Sequence, residues 1–396
     1  MTGVTLKIFP ASYGDSFLFS CNVNKKAYNI LIDTGFAKTY DKFLKRELRS
    51  ISNKGEKLDI LINTHIHLDH IGGALKFLKE NREGNIIEID EIWHNGLEQI
   101  RTLPYDEGFD EIEEEIVEEI IRRGYEVEVE DEEISAIKGV SLSALIEEGG
   151  YSLNTFFKNG KIVADRVPRI ELDSNTSILI LSPTTNELTE LETEWVNCLD
   201  ERKFNFKLPK DKRLKDAFEF VLSRLKEYYI RNEEISTQKE LEGYYKLLLG
   251  NDNSVVNRSS IAFIIENFDK KFLFLSDASI NTIEKSLQVL VEREKYELNF
   301  EMIKLSHHGS KYNIDGSFLE KVTAKDFIIS TNGEKFQHPD YETLANLVMT
   351  NPTNRKTIIF NYPIDKAFYL NNEEWKRKYN YTVCINEEDR VLERRY

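Results

Sequence analysis

All seven histidines of this 396-residue chain stand in four places. Three share the string Thr64-His65-Ile66-His67-Leu68-Asp69-His70-Ile71-Gly72-Gly73; the others are His94, the pair His307-His308, and His338. In a chain this poor in histidine, an H-x-H-x-D-H string arises by chance on the order of once in ten thousand sequences. Its spacing has a chemical reading. His65 and His67, two apart in extended backbone, project to the same side and can share one metal ion. Asp69 and His70, at the turn into a helix, can hold a second, and two ions about 3.5–4 Å apart can hold a bridging hydroxide as nucleophile. Imidazole and carboxylate donors together suit zinc, with manganese or iron as alternatives. Taken singly each residue has a duller role, Asp69 as a helix N-cap and one histidine as a satisfied core or surface group. Their clustering outweighs those roles.

Such donors need rigid elements behind them. Short β-branched and aromatic runs at 4–9, 16–20, 27–32 and 58–63 read as strands, and Ile71, Leu75 and Leu78 set a helix over 69–80, the one clear helix of the first hundred residues. Ile112, Ile116, Val117, Ile120 and Ile121 form an apolar stripe on an acidic helix. Strand character returns at 170–181, 260–265, 272–275, 300–305, 327–330, 356–360 and 381–385, with helical stretches at 184–257 and 283–291. The class is α/β, built in two halves.

The string around His65 resembles the metal motif of metallo-β-lactamase-fold hydrolases. Gly14-Asp15-Ser16-Phe17, Leu31-Ile32-Asp33-Thr34-Gly35, Phe274-Leu275-Ser276-Asp277 and Lys304-Leu305-Ser306-His307-His308-Gly309-Ser310 are similar to the branch that contains the soluble hydrolase domain of ComEC-type competence proteins. The likeness covers 1–98, 170–183 and 257–396, and leaves out an acidic helical insertion at 99–169 and a helical insertion at 184–256. It implies a four-layer αββα sandwich with two divalent metals at one edge. It also implies that Asp277 bridges the metals and that His307 or His308 completes the second site, His307 being favoured and the other ring supporting it or facing substrate. Ser310 and Lys311 would meet a phosphate or other anion, and His338 would give a proton to the leaving group or bind its charge. One departure stands out: no third histidine in a Gly-His-Thr-like string occurs between 98 and 300. His94 is the one candidate substitute, as ligand or as structural group, and Asn257 and Ser259 match a polar pair that lines the site.

Charge bears on the substrate. The net charge of −16 disfavours loose binding to anionic polymers or membranes. Residues 106–150, however, hold 17 acids against three bases, a local −14 that leaves −2 for the remainder. Residues 202–215 carry seven bases against Asp211, with Phe204 and Phe206 interleaved, a pattern that suits stacking on nucleobases. The leading expectation is a dinuclear metal-dependent phosphodiesterase or nuclease. A metallo-hydrolase of lactones, thioesters or esters is the alternative, and a metal-stabilised interaction module the third reading. The acidic segment 106–150 is a candidate surface for a protein partner or a shield over a basic groove. Cys21, Cys198 and Cys384 are scattered, which argues against a disulfide framework or a thiolate zinc site. No apolar run reaches the length of a membrane span, so a cytoplasmic protein without membrane contact is expected.

Overall fold

The computed structural model describes residues 3–23, 26–102, 108, 110–126, 141–200, 211–223, 241–247 and 250–396. Two compact units emerge, Met1–Ile162 with Thr184–Leu225 and Glu393–Tyr396, and Val163–Pro183 with Lys226–Leu392. Each carries one mixed sheet, so the α/β class holds.

The first unit's sheet comprises β1 (Val4–Ile8), β2 (Phe17–Val23), β3 (Lys26–Ile32), β4 (Leu58–Ile62) and β5 (Ile89–Trp93). β1, β2 and β3 pair antiparallel, whereas β3, β4 and β5 run parallel. Alternate burial along β1 marks a strand packed on one face, while β4 is buried throughout, as parallel strands covered on both faces are. Parallel pairing matters for the site: it brings the C-terminal ends of β3, β4 and β5 to one edge, where loops carry Asp33, His65 to His67 and His94.

The second unit contains β6 (Arg169–Glu171), β7 (Thr176–Ser182), β8 (Ala262–Asn267), β9 (Lys270–Phe274), β10 (Asn299–Lys304), β11 (Thr323–Ile329), β12 (Lys356–Phe360) and β13 (Tyr381–Ile385). β9 to β13 are parallel and β6 to β9 antiparallel. Leu179, Ile264, Leu273, Ile303, Phe318 and Ile358 belong to its buried apolar core. The parallel ends of β9, β10 and β11 deliver Asp277, His307-His308 and Ser330.

Three elements differ from the sequence reading. The run 170–181 is a hairpin, β6 and β7, because the Asp173 carboxylate accepts from the N–H groups of Asn175 and Thr176 and turns the chain. A fourteenth strand, β14 (Leu392–Arg395), adds to β1, with Tyr396 and Val4 exchanging backbone bonds of 2.9 and 3.1 Å. The third is a helical run between β3 and β4: Ala37–Thr39, a π-helical turn Tyr40–Leu44, and an α-helix Lys45–Asn53. Its buried Leu44, Leu48 and Ile51 recur at helical spacing but are diluted by lysine and arginine. Tyr40 donates to Glu80 at 2.8 Å and Lys45 pairs with Glu80 at 2.7 Å, which fixes the run to the helix Leu68–Gly84.

In the acidic segment, Asp110 and Glu113 cap each other's backbone N–H and start the helix Glu111–Glu126, which buries Val117 and Ile120 but leaves Ile112 exposed. Arg213, on the helix Lys212–Leu222, pairs with Glu114 at 2.8 Å and Glu118 at 3.3 Å, and Lys215 with Glu147 at 3.2 Å. Most of the basic run 202–215, Phe204 and Phe206 included, lies outside the described residues.

Candidate metal centre

In the first unit, helix Leu68–Gly84 begins at His67, whose φ/ψ of −65° and 142° are extended. Asp69 is therefore not the N-cap but an acid in the first helical turn, where the helix dipole favours its charge. His65, His67 and His70 are all buried. Nε2 of His65 and Nδ1 of His67 lie 3.0 Å apart, and the His65 and His70 ring centroids are separated by 4.2 Å. Nδ1 of His70 meets the Asp33 carboxylate at 2.8 Å, which leaves Nε2 as the donor nitrogen, 3.8 Å from Asp69. Asp33 is itself held by the Thr64 N–H and hydroxyl, both at 2.8 Å. Burial pushes the Asp33 carboxyl above its usual range, and His70 and the Thr64 N–H pull against that shift.

Asp33 sits in the left-handed region at φ 52°, at the turn leaving β3. Asp15, Asp33 and His70 bring donor atoms within 4.8 Å of one another, but the Asp33 oxygen faces the protonated ring nitrogen, so this trio is support rather than a ligand set. Close approach depends on Gly14, where a Cβ would stand 1.9 Å from the carbonyl oxygen of Asp69.

In the second unit, Asp277, His307, His308 and Lys304 are all buried. Nε2 of His307 and Nε2 of His308 each lie 3.8 Å from Asp277 Oδ2, and Lys304 Nζ lies 3.8 Å from Oδ1. His308 donates through Nδ1 to the Ser330 carbonyl at 2.7 Å. His307 Nδ1 faces Asn313 Oδ1 at 3.1 Å and the Asp252 carboxylate at 3.3 Å. Both rings thus leave Nε2, on the side of Asp277, as the nitrogen able to ligate a cation, and both residues adopt left-handed backbone, φ 44° and 56°.

Asn257 donates to Asp252 at 2.8 Å, so it braces that carboxylate; the Ser259 hydroxyl is spent on the Val256 carbonyl at 2.6 Å. Burial pushes Asp252 up, but His307, Asn257 and the Ser254 N–H outweigh it and hold the carboxyl low. His338 is buried with its Nδ1 3.2 Å from Asp340, and burial lowers its pKa although Asp340 opposes the shift. Ser310 is buried and accepts from the Tyr312 N–H, and Lys311 pairs with Glu342 at 3.1 Å.

His94 is tied elsewhere. Its Nε2 lies 3.3 Å from Glu219, and that buried carboxylate also accepts from the N–H groups of Leu142 at 2.6 Å and Ser143 at 3.0 Å. Burial would raise Glu219, yet His94 and Ser143 leave it below the usual carboxylate range. His94 Nδ1 has no hydrogen-bond partner among the described residues, so it is the ring atom left to act as a ligand.

The donor chemistry fits a divalent cation: buried imidazoles pinned through one nitrogen, together with carboxylate oxygens. Sequence reasoning found the histidines and Asp277 but missed Asp33, Asp252, Lys304, Asn313 and Asp340. Of these, Asp33 and Lys304 lie inside the strings Leu31–Gly35 and Lys304–Ser310, and Asp340 two residues after His338; Asp252 and Asn313 carry no local signal.

No curated protein matches the chain. Among solved structures, the metallo-β-lactamase-fold protein YhfI from Bacillus subtilis aligns at 10% identity over 99% of this chain and 100% of its own, with a TM-score of 0.36. A mutant of the CmlA β-hydroxylase aligns at 8% identity over 100% of this chain and 53% of its own, with a TM-score of 0.37. Residues 14–150, the stretch that holds the three-histidine motif, match the metallo-β-lactamase superfamily.

Proposed function

We propose that the protein is a metal-dependent hydrolase of phosphodiesters, a nuclease of the ComEC-like branch. The observation that carries the metal reading is the pinning of His70, His307 and His308 through one ring nitrogen each, on Asp33, on Asp252 with Asn313, and on the Ser330 carbonyl. Divalent ions, zinc or manganese, would be held in the first unit by His65, His67, Asp69 and His70, with His94 as a further donor, and in the second unit by Asp277 and His307, with His308 as a further donor. When bound they supply Lewis acidity toward the scissile phosphate and make water easier to deprotonate.

The chain's own residues do the rest. Asp33 and Asp252 orient imidazoles, and Lys304 sets a buried ammonium beside Asp277. His338, steadied by Asp340, handles a proton at the leaving oxygen through Nε2.

Elemental analysis of the purified protein should find divalent metal, and the metal-loaded protein should cleave bis(p-nitrophenyl) phosphate and DNA. Asp69→Ala and Asp277→Ala should each lower that rate by more than about a hundredfold, since even residues that merely support ligands cost that much in such sites. Cleavage of thioesters or lactones alone would move the assignment to small carbonyl substrates. A metal-free protein whose properties survive Asp277→Ala would point to an interaction module.

A further inference from the structure

We infer that the helix Lys45–Asn53, in the first unit, carries a binding site for the phosphodiester backbone of nucleic acid, separate from the metal-ligand residues. An open groove of about 660 Å³ is lined there by Asp41, Lys45, Arg46, Arg49, Asn53 and Lys54, with Ser50 between them. Residues 38–54 hold six bases against two acids, a local +4 in a chain of net −16.

Both acids are neutralised from outside the groove, Asp41 by Lys76 at 2.5 Å and Glu47 by Lys7 at 2.7 Å. Lys45 is bound to Glu80, but Arg46, Arg49 and Lys54 are exposed and have no carboxylate partner among the described residues. Arg46, Arg49, Ser50 and Asn53 fall at i, i+3, i+4 and i+7, one face of the helix, opposite the buried Leu48 and Ile51. Like charges one turn apart repel, so this face is completed by an anion that spans them. From Arg46 to Asn53 the helix runs about 10 Å, the rise of roughly three nucleotides of one strand. Guanidinium forks match phosphate oxygens, and Ser50 and Asn53 add neutral donors of the kind that also contact the sugar-phosphate backbone. The choice of nucleic acid among polyanions rests on the phosphodiesterase reading; the binding itself does not.

The test uses the full chain as Asp69→Asn, to suppress cleavage, with a labelled single-stranded oligonucleotide followed by fluorescence anisotropy across a salt series. Arg46→Ala/Arg49→Ala/Lys54→Ala should weaken binding and reduce the slope of log K against log salt by about 2, the value for three lost phosphate contacts on a single strand. Arg46→Gln/Arg49→Gln, which keeps size and exposure, should follow in the same direction with an unchanged melting temperature. In the active protein these variants should leave bis(p-nitrophenyl) phosphate hydrolysis intact and raise the KM for long DNA. Unaltered affinity and slope would overturn the site, and tighter binding to anionic phospholipid vesicles than to the oligonucleotide would overturn nucleic acid as its ligand. Failure of wild type to cleave the small diester would strike the phosphodiesterase reading alone.

Discussion

A histidine becomes a metal donor through what its other nitrogen touches, and here the deciding partners are distant in sequence. His70 is fixed by Asp33, 37 residues upstream, and His307 faces Asp252 across 55 positions. Asp33→Asn keeps the shape but turns the best acceptor for the ring N–H into a weaker one. It should lower metal affinity roughly 10–100-fold with little loss of fold. Asp252→Asn should do the same at the other cluster. Competition with a chromophoric chelator reads both, and wild-type affinity in either variant would remove that carboxylate from its positioning role. The candidate ligands were legible because a run of histidines is improbable. Their supports were not, because aspartates are common and only the folded chain shows which of them face a ring.

At the scale of elements, packing decides what local pattern leaves open. Gly14 lets the loop before β2 cross the start of the helix Leu68–Gly84. Gly14→Ala would drive a methyl into the Asp69 carbonyl and should destabilise the first unit by about 3 kcal/mol, measured as a lower urea midpoint. A midpoint within error of wild type would show that the loop can move aside.

Lys356, at the start of β12, donates to the carbonyls of Leu347 at 2.9 Å and Val348 at 3.4 Å and to that of Thr350, ending the helix Tyr341–Met349. Burial brings its pKa down from 10.5 to about 8. Between those two values the unfolded chain holds the proton and the folded one releases it, so stability should rise with pH across that window, by roughly 3 kcal/mol at most. Lys356→Met should abolish the rise, seen in denaturant unfolding at several pH values; a wild-type-minus-variant difference that stays flat would refute it. The helix Lys45–Asn53 shows the limit of pattern reading at this scale. Its apolar stripe is present, but a cationic face hides it until β3 and β4 fix the path between them.

For the whole molecule, the governing quantity is where charge sits. The value of −16 describes a chain whose net negative charge is concentrated in 106–150, with Arg213 drawn onto the acidic helix and the face of Lys45–Asn53 left positive. Neutralising exposed acids of that helix, Glu111→Gln, Glu115→Gln and Glu119→Gln, should strengthen oligonucleotide binding at low salt, with the gain fading once the Debye length falls to about 3 Å near 1 M salt. An identical binding curve would show that the acidic helix exerts no shielding. The sequence by itself determined the α/β class, most of the strands, the clustered candidate metal donors and the segregation of charge, because each is written in composition, in a short motif or in periods of two and 3.6 residues. Only the tertiary structure decided that Asp33 and Asp252 face histidines, that His94 is held by Glu219, and that, among the described residues, Arg46 and Arg49 have no carboxylate partner while Arg213 does. Those are matters of which side chains meet across tens of residues, and proximity of that kind is set by packing rather than by order along the chain.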